Sequence, residues 1–163
     1  MMNKTSNVIM IFEDEIQKLV YEWMVIPDWV KAHVSLKCPA HRYEGELTLY
    51  TEKLVFVGWD IKVSRDFALE IPLSNITAVS MDFSKNLMQN TDPAFGLGGP
   101  TPFVVRYQDN GSERSVFFNT SFKNYLINGE RTNRGWYEML GEAVAAVQMS
   151  NAKQLHHREP AIV

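Results

Sequence analysis

Apolar residues recur along this chain with two different periods, and the period indicates which segments are helices and which are strands. Near the start they fall at offsets of four, seven, eight and eleven, the stripe of an amphipathic helix: Phe12, Ile16, Leu19, Val20 and Trp23. Pro27 and Asp28 end this predicted first helix, because proline lacks the N–H that the helical ladder needs.

The middle of the chain alternates apolar and mostly polar residues, as strands buried on one face do. The alternation is clearest in Phe67, Leu69 and Ile71. Seven strands are predicted, at residues 32–37, 44–50, 54–59, 66–71, 76–83, 103–107 and 114–118. Residues 109–111, Asp-Asn-Gly, predict a hairpin between the last two strands, since Asn and Gly tolerate positive φ. Thr51 and Glu52 form a plainer turn between the second and third strands.

The helical period returns after the last strand. It predicts a C-terminal helix at residues 132–148, with Thr132 or Asn133 available as N-cap and an apolar stripe of Trp136, Leu140, Ala143, Val144 and Val147. This stripe needs a partner, and a sheet with one apolar face supplies it. The remaining residues, 150–163, are predicted to form a frayed tail.

Seven strands followed by one amphipathic helix is the order of the pleckstrin-homology (PH) superfold, and two segments are more specific. Residues 45–57, which read GELTLYTEKLVFV, resemble the glycine-led strand, turn and Leu-x-Phe strand of GRAM-like and bacterial PH-like domains. Residues 71–79, which read IPLSNITAV, resemble the step of those domains into their fifth strand. The sequence departs from the pattern at Glu52, where Asn or Asp is common, and in its added first helix.

The resemblance implies a mainly β (α+β) fold in one domain. We expect a seven-stranded antiparallel PH-like barrel at residues 30–149, capped by the C-terminal helix. The added N-terminal helix and its lead-in, residues 1–29, would pack on this barrel. We find no internal repeat and no linker that would divide the chain.

The charge of the chain restricts the classes of partner that it could bind, and its cysteine content indicates a cellular compartment. The chain has 163 residues with a formal net charge of −3, and its 16 Lys and Arg are scattered among 19 Asp and Glu. A nucleic-acid-binding protein would show a basic patch instead. Cys38 is the only cysteine, which fits a reducing compartment. The apolar run of residues 8–12 ends at Glu13 and is far too short to span a membrane. These features predict a cytoplasmic protein without a transmembrane segment.

Domains of the resembling families bind phosphoinositide head groups, peptides or partner proteins. In that fold the loops after strands one and three meet at one open end, which here offers four candidate binding residues: Lys37, Arg42, Lys62 and Arg65. Three carboxylates lie in or beside the same loops: Glu44, Asp60 and Asp66. These mixed charges argue against a phosphoinositide site and predict a solvated rim.

A second candidate surface is the long segment at residues 84–101. It exceeds the ~12–15 residues at which structureless loops become uncommon. Its apolar side chains, Leu87, Met88, Phe95 and Leu97, would contact a partner or cover the barrel mouth, or else pack locally on the core. The segment leads into a strand and lacks a suitably placed Lys, so it is not a nucleotide-binding loop.

No catalytic or metal site is indicated. His156 and His157 form an adjacent pair in the tail, without the ligand count or spacing of a zinc site. No strand-turn-helix segment presents a nucleophile, and no pair of carboxylates is singled out by its setting. We therefore expect neither an enzyme nor a cofactor.

The sequence favours a non-catalytic binding or adaptor module that contacts a protein partner or ligand through the 84–101 segment and the first helix. The alternative is a small β-barrel that carries an apolar ligand in a pocket lined by Trp59, Met88, Phe95 and Phe117. The predicted first helix either packs on the sheet of its own chain or pairs with a second copy of the protein. An exposed strand edge would also allow a homodimer.

Overall fold

A computed structural model describes residues 2–15, 41–81, 102–120 and 130–157. This part of the chain is mainly β, with one sheet of seven antiparallel strands and a long helix packed against it. The strands are β1 (Asn3–Phe12), β2 (Tyr43–Leu49), β3 (Lys53–Asp60), β4 (Arg65–Pro72), β5 (Ile76–Ser80), β6 (Phe103–Asp109) and β7 (Ser112–Asn119). A 3-10 turn, Leu73–Asn75, joins β4 to β5, and the helix is α1 (Glu130–His156).

The strand order is β4-β3-β2-β1-β7-β6-β5, so the described strands form an open sheet with β4 and β5 at its ends. The central strand β1 pairs with β2 from Asn3 to Met10 and with β7 from Ile9 to Phe12. Its register shifts between Thr5 and Val8, where Asn7 has a φ of 56°. β1 therefore joins two groups of neighbouring strands, β2–β4 and β5–β7.

Two facing glycines bring β2 and β3 unusually close together. Gly45 lies directly opposite Gly58. A Cβ atom on Gly45 would meet the carbonyl oxygen of Val57 and lie 2.6 Å from the Cα of Gly58. A Cβ atom on Gly58 would meet the carbonyl oxygen of Glu44. Only glycine allows the two backbones to approach in this way.

The core lies between one face of the sheet and α1. Aromatic rings are in contact through much of it, with centroid separations of 4.1 Å for Tyr43 and Phe67, 5.3 Å for Phe103 and Phe118, and 6.3 Å for Phe103 and Trp136. The helix contributes Trp136, Leu140 and Val144. Large side chains thus fill the described interior, which is the close packing expected of a protein core.

Six of the seven predicted strands are confirmed as β2 to β7, with ends that differ from the prediction by one or two residues in β2–β4, β6 and β7. β5 begins at Ile76 as predicted and ends at Ser80, and residues 82–83 of the predicted strand lie outside the described residues. The predicted hairpin is also confirmed: Asn110 and Gly111 have φ values of 50° and 83° and connect β6 to β7. The predicted strand at residues 32–37 lies outside the described residues.

The N-terminal prediction was wrong in one respect. Residues 3–12 form the central strand, and Phe12, taken as the first residue of a helical stripe, is the last residue of β1. All of residues 8–12 are buried, because β1 has a neighbour on each side and apolar groups on both faces. A strand buried on both faces appears as a continuous apolar run without alternation. Residues 16–29 of the predicted helix and lead-in lie outside the described residues.

The C-terminal helix is confirmed but is longer than predicted. It begins at Glu130 and continues through the expected tail to His156. Asn133 is therefore inside the helix rather than at its N-cap. Its buried Oδ1 accepts hydrogen bonds from the Thr120 backbone N–H (2.7 Å) and Oγ1 (2.8 Å), and its Nδ2 donates to Asn119 Oδ1 (3.0 Å). These bonds join the helix to the end of β7.

Candidate functional site

The predicted cationic site falls at one end of the sheet, formed by residues 12–15, 41–43 and 60–65, which we call the polar end. The end of β1, the start of β2 and the β3–β4 turn meet there, because adjacent antiparallel strands begin and end side by side.

An ion cluster dominates the polar end. Arg42 donates from Nε and Nη2 to the carboxylate of Asp60 at 2.8–3.2 Å, and from Nη1 to Glu15 Oε1 at 3.0 Å. The Asp60 side chain is 2% exposed. Burial by itself would raise the pKa of Asp60, but the hydrogen bonds and charge of Arg42 hold it below its ordinary value. The same bonds raise the pKa of Arg42. Two carboxylates thus neutralise this arginine within the fold.

Neighbouring side chains support the cluster. The Tyr43 hydroxyl donates to Glu15 Oε1 at 2.7 Å, and burial together with this bond raises the pKa of Tyr43 well above its ordinary value. His41 is buried, with Nε2 2.8 Å from Glu44 Oε1. The first contact adds a donor to a carboxylate that already accepts from Arg42 and from the Phe12 backbone N–H, and the second pairs Glu44 with a buried ring.

A second arginine, on β7, lies nearby in a similar environment. The guanidinium of Arg114 lies over the ring of Phe12 at 4.0 Å, with Asp109 at 3.5 Å and Asp14 at 3.7 Å. The buried hydroxyl of Tyr107, on the strand paired with β7, lies near Arg114 but meets no partner of good hydrogen-bond geometry among the described residues, and burial raises its pKa. Arg114, like Arg42, is surrounded by carboxylates.

The structure does not bring the described candidate cations together as an anion site. Arg42 is committed to the ion cluster, and Lys62 contributes its backbone N–H to Asp60 at 3.0 Å. Arg65 is exposed at the start of β4, opposite Asp60 in the strand register. The other predicted binding residues, Lys37, Leu87, Met88, Phe95 and Leu97, lie outside the described residues.

The described residues of the predicted apolar pocket lie on the face of the sheet away from the core cluster. In β3, Leu54 and Phe56 face the core, whereas Trp59 lies on the opposite face and is 43% exposed. In β7, Phe117 also points to the opposite face, but it is buried there, in register with Ile11 and Val104. Met88 and Phe95 lie outside the described residues.

Sequence reasoning missed a groove of about 870 Å³ at the other end of the sheet, which we call the helix groove. It lies between the second half of α1 and the β2–β3 turn. Its apolar lining is Leu49, Tyr50, Pro72, Met139, Ala143, Ala146 and Val147, and its polar lining is Asn3, Thr51, Glu52, Ser74, Glu142, Ser150, Asn151 and Gln154. The helical spacing of residues 139–154 puts these α1 side chains on one side of the helix.

The charge of the helix groove has one sign. Glu52 and Glu142 are the ionised groups among its described lining residues, and both are exposed. Two sequence features could have pointed to this site: residues 150–156, which the sequence predicts as part of a tail, and Glu52, which departs from the turn pattern of the resembling domains.

Among the described residues, no group of three or more His, Cys, Asp or Glu is arranged to hold a metal ion. No helix within them is long and apolar enough to cross a membrane.

Comparison with known proteins does not assign the chain to a family. No protein-family model matches it, and no curated protein matches it significantly.

Proposed function

We propose that this chain is a non-catalytic binding module of the PH-like or GRAM-like type, and that it acts by holding a protein partner. The six strands β2–β7 and the long helix that follows them support this proposal, since they keep the order that the resemblance implies for residues 30–149; the seventh strand of the sheet, β1, precedes that range. Gly45 is the first residue of the resembling segment 45–57, and its close approach to Gly58 explains why a glycine is needed there.

The neutralised ion cluster is the observation that carries the choice of a protein partner over a phosphoinositide. A head-group phosphate must be met by several cations that can exchange water for charge-assisted hydrogen bonds. Here Arg42 already donates to Asp60 and Glu15, and Arg114 lies between Asp14 and Asp109. A phosphate at this end would have to displace these carboxylates and would meet their repulsion.

The contact surfaces in this proposal are the helix groove, the 84–101 segment and the predicted N-terminal helix. The last two rest on their apolar sequences, including Leu87, Met88, Phe95 and Leu97. The alternative function, a carrier of an apolar ligand, has less support because aromatic side chains fill the described interior. A cytoplasmic location, inferred from the lone Cys38, remains part of the proposal.

Sedimentation with liposomes tests the choice between lipid and protein. We expect no preference for vesicles containing phosphoinositides over phosphatidylserine vesicles of equal surface charge. Selective binding that is lost in a Lys37→Ala/Lys62→Ala variant would contradict the proposal. Arg42 is left intact in this variant because its removal would leave Asp60 buried without its partner.

A protein partner is tested directly in two steps. Cross-linking in cells followed by mass spectrometry identifies candidates, and calorimetry with the purified chain and each purified candidate measures binding. We expect a saturable one-to-one interaction with at least one candidate. Failure of every purified candidate to bind would contradict the proposal.

A further inference from the structure

The helix groove has the length and lining of a site for an extended polypeptide. Its lining residues on α1 run from Met139 to Gln154, a distance of about 22 Å at 1.5 Å per residue. A strand-like segment rises about 3.3 Å per residue, so the groove would accommodate about six or seven residues.

The polar lining suits a peptide backbone better than a purely apolar molecule. Asn3, Asn151 and Gln154 each carry a hydrogen-bond donor and an acceptor, which is what the N–H and C=O groups of an extended chain require. An apolar molecule would leave these amides facing a surface that cannot bond them. The apolar lining residues, which include Leu49 and Met139, would then pack against an apolar side chain of the bound segment.

The charge of the helix groove determines which charge its occupant should carry. Glu52 lies on the turn and Glu142 on the helix, so the groove has a carboxylate on each of its two sides. Neither Lys nor Arg occurs among the described lining residues, so an acidic segment would be repelled and a basic one attracted.

We propose that the helix groove binds an extended segment of a partner protein in which a Lys or Arg lies next to a large apolar side chain. The basic side chain pairs with Glu52 and Glu142, while the apolar one packs between the β2–β3 turn and α1. This assignment rests on the proposed function and names the class of segment that the binding module recognises.

Selection from a phage-displayed library of random dodecapeptides on the full chain tests the proposal. We expect the selected peptides to be enriched in Lys or Arg beside an apolar residue. Fluorescence anisotropy with the synthetic consensus peptide then measures affinity. We expect Glu52→Lys/Glu142→Lys to weaken binding about tenfold or more, because two attractive contacts become repulsive.

Two further variants separate charge from shape. Glu13→Lys/Asp66→Lys makes the same change in net charge with exposed residues in or next to the polar end, and we expect its affinity to stay within about twofold, since salt screens distant charges. Ala146→Trp fills the groove at an exposed helix position without changing charge, and we expect it to block binding. Thermal melts establish that each variant is folded.

Several results would overturn the groove assignment. Peptides without basic residues, an equal loss in both charge variants, or binding that survives Ala146→Trp would each do so while the binding-module proposal stands. A dimer by light scattering that Ala146→Trp converts to a monomer would assign the groove to a second copy instead. If the library yields no binder and no purified partner binds, the groove assignment and the proposed function both fail.

Discussion

Replacement of Asp60 by asparagine tests whether the ion cluster at the polar end stabilises the fold. The change keeps the size of the side chain and removes the charge that Arg42 contacts through two nitrogens. Breaking a buried ion pair by removing one partner costs about 3–5 kcal/mol. Arg42 is 21% exposed and keeps its bond to Glu15, so we expect a smaller loss than this range, about 2–3 kcal/mol of unfolding free energy.

The same variant should show a defined pH dependence. The pKa of Asp60 is below its ordinary value of 3.8 in the folded chain, so folding favours the carboxylate form. Its stabilising contribution is therefore complete well above 3.8 and is lost as pH falls through the lower, folded-state pKa. The difference between the wild-type chain and Asp60→Asn should be largest near neutral pH and should shrink in acid.

Urea unfolding followed by circular dichroism, at several pH values from neutral to acidic, measures both effects. Asp66→Asn is the matched control, because it removes an exposed carboxylate from the adjacent strand and should change stability by less than ~0.5 kcal/mol. A loss for Asp60→Asn no larger than that of the control, or a loss that does not vary with pH, would refute a structural role for the cluster.

Three other comparisons test the packing. In urea titrations, Tyr43→Phe should lower the unfolding free energy by about 1–2 kcal/mol, because it removes a hydrogen bond to a carboxylate. Tyr107→Phe should be neutral or slightly stabilising, because among the described residues its buried hydroxyl meets no partner of good hydrogen-bond geometry. Asn133→Ala should lower the unfolding free energy by about 2–4 kcal/mol and so lower the melting temperature, because three buried hydrogen bonds disappear. Gly58→Ala should abolish a dispersed NMR spectrum, whereas Gly141→Ala, at an open position within α1, should keep it.

Each comparison has an outcome that contradicts its reasoning. Equal losses in the two tyrosine variants would mean that the hydrogen bond to Glu15 contributes nothing. An unchanged melting temperature for Asn133→Ala would show that the helix is held by its apolar stripe alone. A well-folded Gly58→Ala protein would show that β2 and β3 can separate at this point without loss of structure.

Most strands could be predicted because their residues carry the signal locally. Phe67, Leu69 and Ile71 alternate with exposed or partly exposed neighbours, and Asn110-Gly111 supplies the backbone conformation that its hairpin needs. The central strand could not be predicted in this way, because Val8 to Phe12 are buried on both faces and show no alternation. Its position depends on pairing with β2 and β7, which are distant in the sequence.

The candidate site was harder to predict because its contacts are long-range. Sequence reasoning placed Arg42 and Asp60 at one end of the fold and noted that their charges cancel. It could not show that they form a direct buried pair across 18 residues, with Glu15 as a second partner 27 residues away. The helix groove depends in the same way on α1 passing the β2–β3 turn, a relation between segments that no local pattern encodes.

The position of β1 has a consequence for how this chain folds. β2–β4 and β5–β7 are each built from strands that are adjacent in sequence, so each group can form early through local pairing. The pairing of Ile9 with Asn119 closes a loop of most of the chain, and such contacts form slowly because their loop-closure entropy is large. We expect the pairing of β1 with β7 to be the late step that unites the two groups of strands, so deletion of the first twelve residues would separate these groups rather than shorten one end of the sheet.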